Sequence, residues 1–235
     1  RYLAGMLGAD PVITTATDVN DMAALDTLAF QLNARMCDFR SAVKIVNQML
    51  VSNKRVGLWW DDELTQDVSH CDRRGFITVT DLNQLPELDA LVCITLRTNL
   101  PDLPVPHWKL VPQRVVAGIG CRRDTPFPLL AALLARQLEA QQLDPLALKA
   151  IGSITLKKDE QGLIQLASCC RVPFETFTAD ALREHEHRFP ASSFVRKTVG
   201  TGSVSGPAAW LLSHGKLLGE TLREQGVTIT LGVSH

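Results

Sequence analysis

The sequence predicts a multi-domain α/β protein built from layered sheets and covering helices. Three observations lead there. Short β-branched runs alternate along the chain with segments of helical apolar spacing. A proline-rich stretch at 100–112 (LPDLPVPHWKLVP) separates two such series. Three polar turns rich in Gly, Arg, Lys or Ser each stand just ahead of a helix start, where an α/β protein places its ligands.

The elements follow in order. Residues 1–8 have helix character and stop at Gly8, and 11–15 (PVITT) form a short strand running into the polar turn Thr15–Ala16–Thr17–Asp18. A chain that opens on Arg1 inside a helix reads as one whose natural start is missing. Helices are expected over 22–32 and 41–51, the second with Val43, Val46, Met49 and Leu50 on one face. Strands are expected at 56–60 (VGLWW), 76–79 (FITV) and 90–96 (ALVCITL). Beyond the connector come a strand at 114–119 and a helix at 126–142, capped by Thr125 with Pro126 in its first position. Then follow a strand at 150–156, a helix at 160–170 capped by Asp159, a strand at 172–177, helices at 179–186 and 207–213, and a last strand at 227–233 (VTITLGV). This divides the chain into 1–18, the remnant of a front domain, a middle α/β domain at 19–108, and a C-terminal α/β domain at 109–235.

Composition narrows the function classes. From Arg114 onward Lys and Arg outnumber Asp and Glu by 14 to 11, while the front part is acidic, 10 against 14. That small basic excess is far from what a phosphate backbone demands, so nucleic acid is excluded and an acidic small molecule suits the second half. No apolar run reaches membrane-spanning length. Six cysteines without a CxxC, two of them adjacent at Cys169 and Cys170, read as reduced thiols of a cytoplasmic protein. His185 and His187 stand two apart, on different faces of a helix, and no protein-bound metal is expected.

The motifs carry the chemistry. In Gly118–Ile119–Gly120–Cys121–Arg122–Arg123–Asp124–Thr125, two glycines permit positive φ and close backbone approach, and the arginines offer forked donors for carboxylates. The plain alternative is a tight turn with two solvated arginines. Lys157–Lys158–Asp159–Glu160 pairs an electrophile with a general base, or is simply a charged surface turn. Gly200–Thr201–Gly202–Ser203–Val204–Ser205–Gly206–Pro207 brings hydroxyls and helix N–H groups to one place, or is a loop with Ser205 as cap. The nucleotide-binding alternative lacks both a lysine after the glycines and a GxGxxG pattern.

Together GIGCRRDT (118–125), SITLKKDEQGL (153–163) and GSVSGPAAWLL (202–212) resemble, in order and spacing, the C-terminal domain of cobalt-precorrin-5A hydrolases, the CbiG family. A stand-alone corrinoid-pathway protein, CobE, shares that domain type. LGADPVITTATD (7–18) is similar to the end of the family's front domain, and 19–108 to its variable middle domain. Two features depart from the family pattern. The Gly/His-rich segment the family carries ahead of its PVITTATD strand is not in this sequence, and Gly206 stands where relatives often carry an acidic or other residue.

The resemblance implies a hydrolase of anaerobic cobalamin biosynthesis. It would open the δ-lactone of cobalt-precorrin-5A and release the C20 two-carbon unit as acetaldehyde, giving cobalt-precorrin-5B. The cobalt arrives within the substrate, so no protein cofactor is expected. Residue chemistry then casts Glu160 as base, Lys157 as electrophile and Asp18 as rival base. Gly118, Gly120, Cys121, Arg122, Arg123, Thr125, Lys158, Ser203, Ser205, Thr15 and Thr17 would bind substrate. If the front segment contributes to the site, the chain is instead a non-catalytic corrinoid-binding or carrier module. A homodimer and transient contact with neighbouring pathway enzymes are left open. The spatial expectation is that the three turns of the second half share one pocket.

Overall fold

The computed structural model describes residues 23–190 and 200–234. The expected elements within 1–18, and with them Thr15, Thr17 and Asp18, lie outside the described residues. The chain forms two compact units. One runs to Thr95 and includes Pro101–Leu110; the other comprises Leu96–Leu100 and Val111–His235.

The first unit is organised by its central strand β4 (Ala90–Ile94), all five residues of which are buried. Such unbroken apolarity is what a parallel strand covered on both faces requires. It pairs in parallel with β2 (Val56–Trp60) and β5 (His107–Pro112), and β2 pairs in parallel with the two-residue β3 (Ile77–Thr78). A further two-residue strand, β1 (Ala34–Arg35), completes the order β1-β5-β4-β2-β3. Helix α1 (Leu25–Gln31) is tied to α2 (Phe39–Val51) by Asn47, whose side-chain oxygen accepts from the Leu25 N–H at 2.8 Å and whose amide donates to Asp26 at 3.1 Å. A short α3 (Thr65–Ser69) follows β2. Burial pushes the Cys93 thiol up to about 12, helped by the Asp61 charge, so this cysteine is inert core.

The second unit has a mixed sheet of order β8-β7-β6-β10-β9. Strands β6 (Val115–Cys121), β7 (Leu148–Ile154) and β8 (Phe174–Phe177) run parallel, which puts their carboxyl ends side by side. Strand β10 (Val227–Val233) lies antiparallel to β6 and to β9 (Leu217–Glu224), a strand the sequence reading missed. Helices α4 (Phe127–Ala140) and α5 (Gln161–Cys170) pack together beside this sheet. The short α6 (Ala179–His185) and α7 (Ser205–Ser213) close over Ile154 in a cluster with Leu182, Ala208 and Phe177.

Several expected boundaries move, each for a physical reason. Strand β6 extends to Cys121 because Gly120 and Cys121 pair with Thr228 and Val227. Neither Gly118 nor Gly120 takes positive φ; in that turn the left-handed residue is Asp124, at φ 57. Pro126 rather than Thr125 occupies the cap position of α4, and the Thr125 hydroxyl donates instead to the Arg122 carbonyl at 2.8 Å. Glu160 rather than Asp159 precedes α5, with no side-chain cap, because its carboxylate is engaged elsewhere. Gly206 accepts no larger residue, since an added Cβ would meet the Phe189 ring at 2.3 Å.

Gly118 is where α7 crosses β6. A Cβ there would lie 2.0 Å from the Ser205 carbonyl oxygen and 2.5 Å from the Ala209 nitrogen, both backbone atoms that cannot swing aside. Gly118→Ala is therefore expected to destabilise the second unit by about 1–3 kcal/mol, read as a lower urea midpoint and a thermal midpoint reduced by several degrees.

Candidate active site

The carboxyl ends of β6 and β7 supply two adjacent walls. Beyond β6 the chain turns through Arg122–Arg123–Asp124, closed by the Thr125 bond. Beyond β7 a single 3-10 turn, Thr155–Lys157, drops into α5. Ser153 fastens the two strands, its hydroxyl donating to the Ile119 carbonyl at 2.7 Å. Lys157 donates to Glu160 at 2.7 Å, and only 10% and 9% of these side chains reach solvent. A buried lysine needs such a partner, because an isolated ammonium loses its hydration without recompense.

The third wall is the loop ahead of α7. Arg183 holds the Gly200 carbonyl, and one Glu186 carboxylate oxygen accepts from the Thr201 hydroxyl at 2.8 Å and the Gly202 N–H at 2.6 Å. Glu186 thus fills the small concavity of N–H and O–H donors from within the protein. The fourth wall is the tip of the β9–β10 hairpin. Gln225 (φ 49) and Gly226 (φ 78) form its two-residue turn, both in the left-handed region, which suits the twist of paired strands.

These walls enclose one cavity of about 710 Å³, a volume suited to a sizeable organic ligand. Gly120, Cys121, Arg122, Arg123, Lys157 and Ser203 line it, so all three turns singled out in the sequence meet there. Ile154, Leu156, Pro190, Val204 and Val227 add an apolar lining.

Other expected site residues stand elsewhere. Gly118 is buried under α7 and serves packing. Thr125 spends its hydroxyl on Arg122. Ser205 is 2% exposed and faces inward, accepting from Thr230 at 3.2 Å, because the first turn of α7 rotates it away from Ser203. Lys158 is exposed and off the cavity lining. Glu160 reaches the cavity only through Lys157. The hairpin tip and Glu186 were missed. The Gln–Gly pair ahead of the β-branched run 227–233 was the available signal for the hairpin; Glu186 left none.

Burial pushes the Cys121 thiol up, with the Lys157 charge opposing and the Glu160 charge adding to it. Cys121 is thus a neutral wall group at neutral pH. On treatment with a maleimide at neutral pH, Cys37 and Cys169, both exposed, should label quickly, Cys121 slowly and Cys93 not at all. Raising the pH should accelerate Cys121, as mass-spectrometric mapping would show; fast labelling of Cys121 at neutral pH would contradict its burial.

Residues 115–232 match the family model described as cobalamin synthesis G C-terminus, and 23–111 match the cobalamin biosynthesis central region. A cobalt-precorrin-5A hydrolase of Salmonella typhimurium is 83% identical over 235 residues, covering all of this chain and 67% of that protein. One from Priestia megaterium is 26% identical over 243 residues, covering all of this chain and 64% of that protein. The chain therefore spans about two thirds of the length of these curated relatives. Among solved structures, CobE, a protein from the cobalamin biosynthetic pathway, aligns at 31% identity over 57% of this chain and 96% of its own, with a TM-score of 0.49. Cobalamin biosynthesis protein chiG of Agrobacterium tumefaciens aligns at 24% identity over 51% and 98%, with a TM-score of 0.41.

Proposed function

Since the chain belongs to the cobalt-precorrin-5A hydrolase family, we propose that the cavity of its second unit holds cobalt-precorrin-5A and opens the δ-lactone of that substrate. The observation that carries this reading is Lys157, shielded and paired with Glu160 behind it, in the wall of a cavity that Arg122, Arg123 and Arg223 also line.

In this reaction water adds to the lactone carbonyl and the ring C–O bond breaks, leaving a free acetate arm and a hydroxyl on C20. That hydroxyl then loses its proton as the bond from C20 to the macrocycle breaks. C20 and its methyl leave as acetaldehyde, the electron pair stays in the conjugated ring, and the product is cobalt-precorrin-5B. No electron acceptor is consumed. The cobalt belongs to the substrate.

Lys157, on the cavity wall, is the electrophile that holds the carbonyl oxygen as negative charge develops on it. Glu160, behind Lys157, keeps that ammonium aimed; it and Asp18 are the rival candidates for the base that takes the proton of the attacking water. Arg122, Arg123 and Ser203 hold carboxylate arms around the rim. No helix among the described residues is long and apolar enough to cross a membrane.

A second reading is a corrinoid-binding module without turnover, in which the arginine-lined cavity holds the ring and Glu160, set behind Lys157, takes no proton. Incubation with cobalt-precorrin-5A separates the two. Acetaldehyde release supports hydrolysis, and a spectral shift without acetaldehyde supports the module.

Where turnover is seen, Lys157→Ala should lower kcat by about 10²–10³, the usual cost of losing a donor to a developing oxyanion. Glu160→Gln should also depress acetaldehyde release, with circular dichroism confirming the fold. Unchanged release in Glu160→Gln together with loss in Asp18→Asn would transfer the base role to Asp18.

A further inference from the structure

The hairpin tip forms a wall of the cavity, yet no role above requires it. It presents Arg223 and Glu224 at the end of β9. Arg223 is exposed, and among the described residues it makes no ion pair; the same holds for Arg122 and Arg123. Gly226 at the tip lies directly against Arg122, since a Cβ there would meet its Nε at 2.6 Å. The hairpin therefore fixes where the Arg122 stem runs and adds a third unpaired guanidinium to the same opening.

Glu224 is the misfit on this wall, because a carboxylate in a cationic opening repels the anion the opening attracts. It is engaged from outside the cavity by Arg136 of α4, whose two guanidinium nitrogens reach its two carboxylate oxygens. Exposed ion pairs of this kind add little to stability. Neutralising a charge that faces a ligand is a different service, felt only when an anion binds.

We propose that the β9–β10 hairpin is the carboxylate-reading wall of the cavity: Arg223 grips an acidic side arm of the tetrapyrrole, and Arg136 acts as a positioning residue that keeps Glu224 from repelling it. The Arg136 guanidinium, hydrogen-bonded to Glu224, holds that carboxyl below its usual range, so it stays ionised and paired. The proposal rests on the reading of the cavity as a corrinoid site and adds to it which residues recognise the acid fringe.

The test uses the whole 235-residue chain and two stable probes: a corrin whose side arms are all free carboxylates (cobyrinic acid) and the same ring with its arms amidated. Binding is followed by the absorbance of the ring. Arg223→Ala should weaken the carboxylate ring by about tenfold or more and leave the amidated ring unaffected, with Arg223→Lys in between. Arg136→Ala should weaken the carboxylate ring severalfold, and the double variant Arg136→Ala/Glu224→Ala should return it to within about twofold of wild type. A merely structural Arg136 would show no such rescue. If wild type binds the carboxylate ring and Arg223→Ala binds it equally well, the hairpin assignment falls while the cavity reading stands. If wild type binds neither ring, the cavity reading falls and takes this proposal with it.

Discussion

Helix α7 reaches the sheet through a gap one carbon wide. Its first turn lies so close on β6 that the Ser205 carbonyl occupies the space a side chain on residue 118 would need. The site depends on this contact, because it brings the loop before α7 to the carboxyl ends of β6 and β7. Those ends already lie together, since parallel pairing aligns them. The arginine turn and the lysine turn are thus neighbours by topology, whereas the serine loop joins them only because α7 packs where it does. The same face takes Gly152 against Leu212 and Gly232 against Ser213, so a row of glycines across three strands seats one small-residue helix.

Much of this was legible in the sequence, and what escaped has identifiable causes. Strands such as β4 and β10 read easily because burial on both faces demands β-branched and aliphatic runs. Strand β9 escaped because its alternation is interrupted: Gly219 sits at φ 58, and the pairing register with β10 shifts between Ile229 and Leu231. Strand β5 hid within a proline-rich stretch. Pro106 precedes it and Pro112 ends it, so neither proline interrupts its pairing with β4 at 107–110.

The site was legible to a similar degree. Glycines 118 and 120 were visible as places of close approach, but whether ligand or helix comes close is decided by α7, far along the chain. Ser203 and Ser205 look equivalent in sequence; the helix that begins at Ser205 turns one toward the cavity and the other toward Thr230. Residue chemistry alone cannot see that rotation.

The electrostatics of the cavity are divided between its walls. Glu186 already satisfies the donors of the serine loop, so that wall has little to offer an anion beyond the Ser203 side chain. Attraction for acids falls instead on guanidinium groups at the opening, which remain hydrated and can release water when an arm arrives. Deeper in, the shielded Lys157 is held by Glu160, and the aliphatic groups of Ile154, Leu156, Pro190, Val204 and Val227 share the lining with glycines and small polar side chains. A broad apolar ring with an acidic fringe meets each of these surfaces in turn. Such a ring would find Leu156, Pro190 and Val204 for its face and the arginines for its arms. A compact anion such as phosphate would use the rim and leave the apolar wall wet, so the division of the walls itself favours a large amphipathic acid.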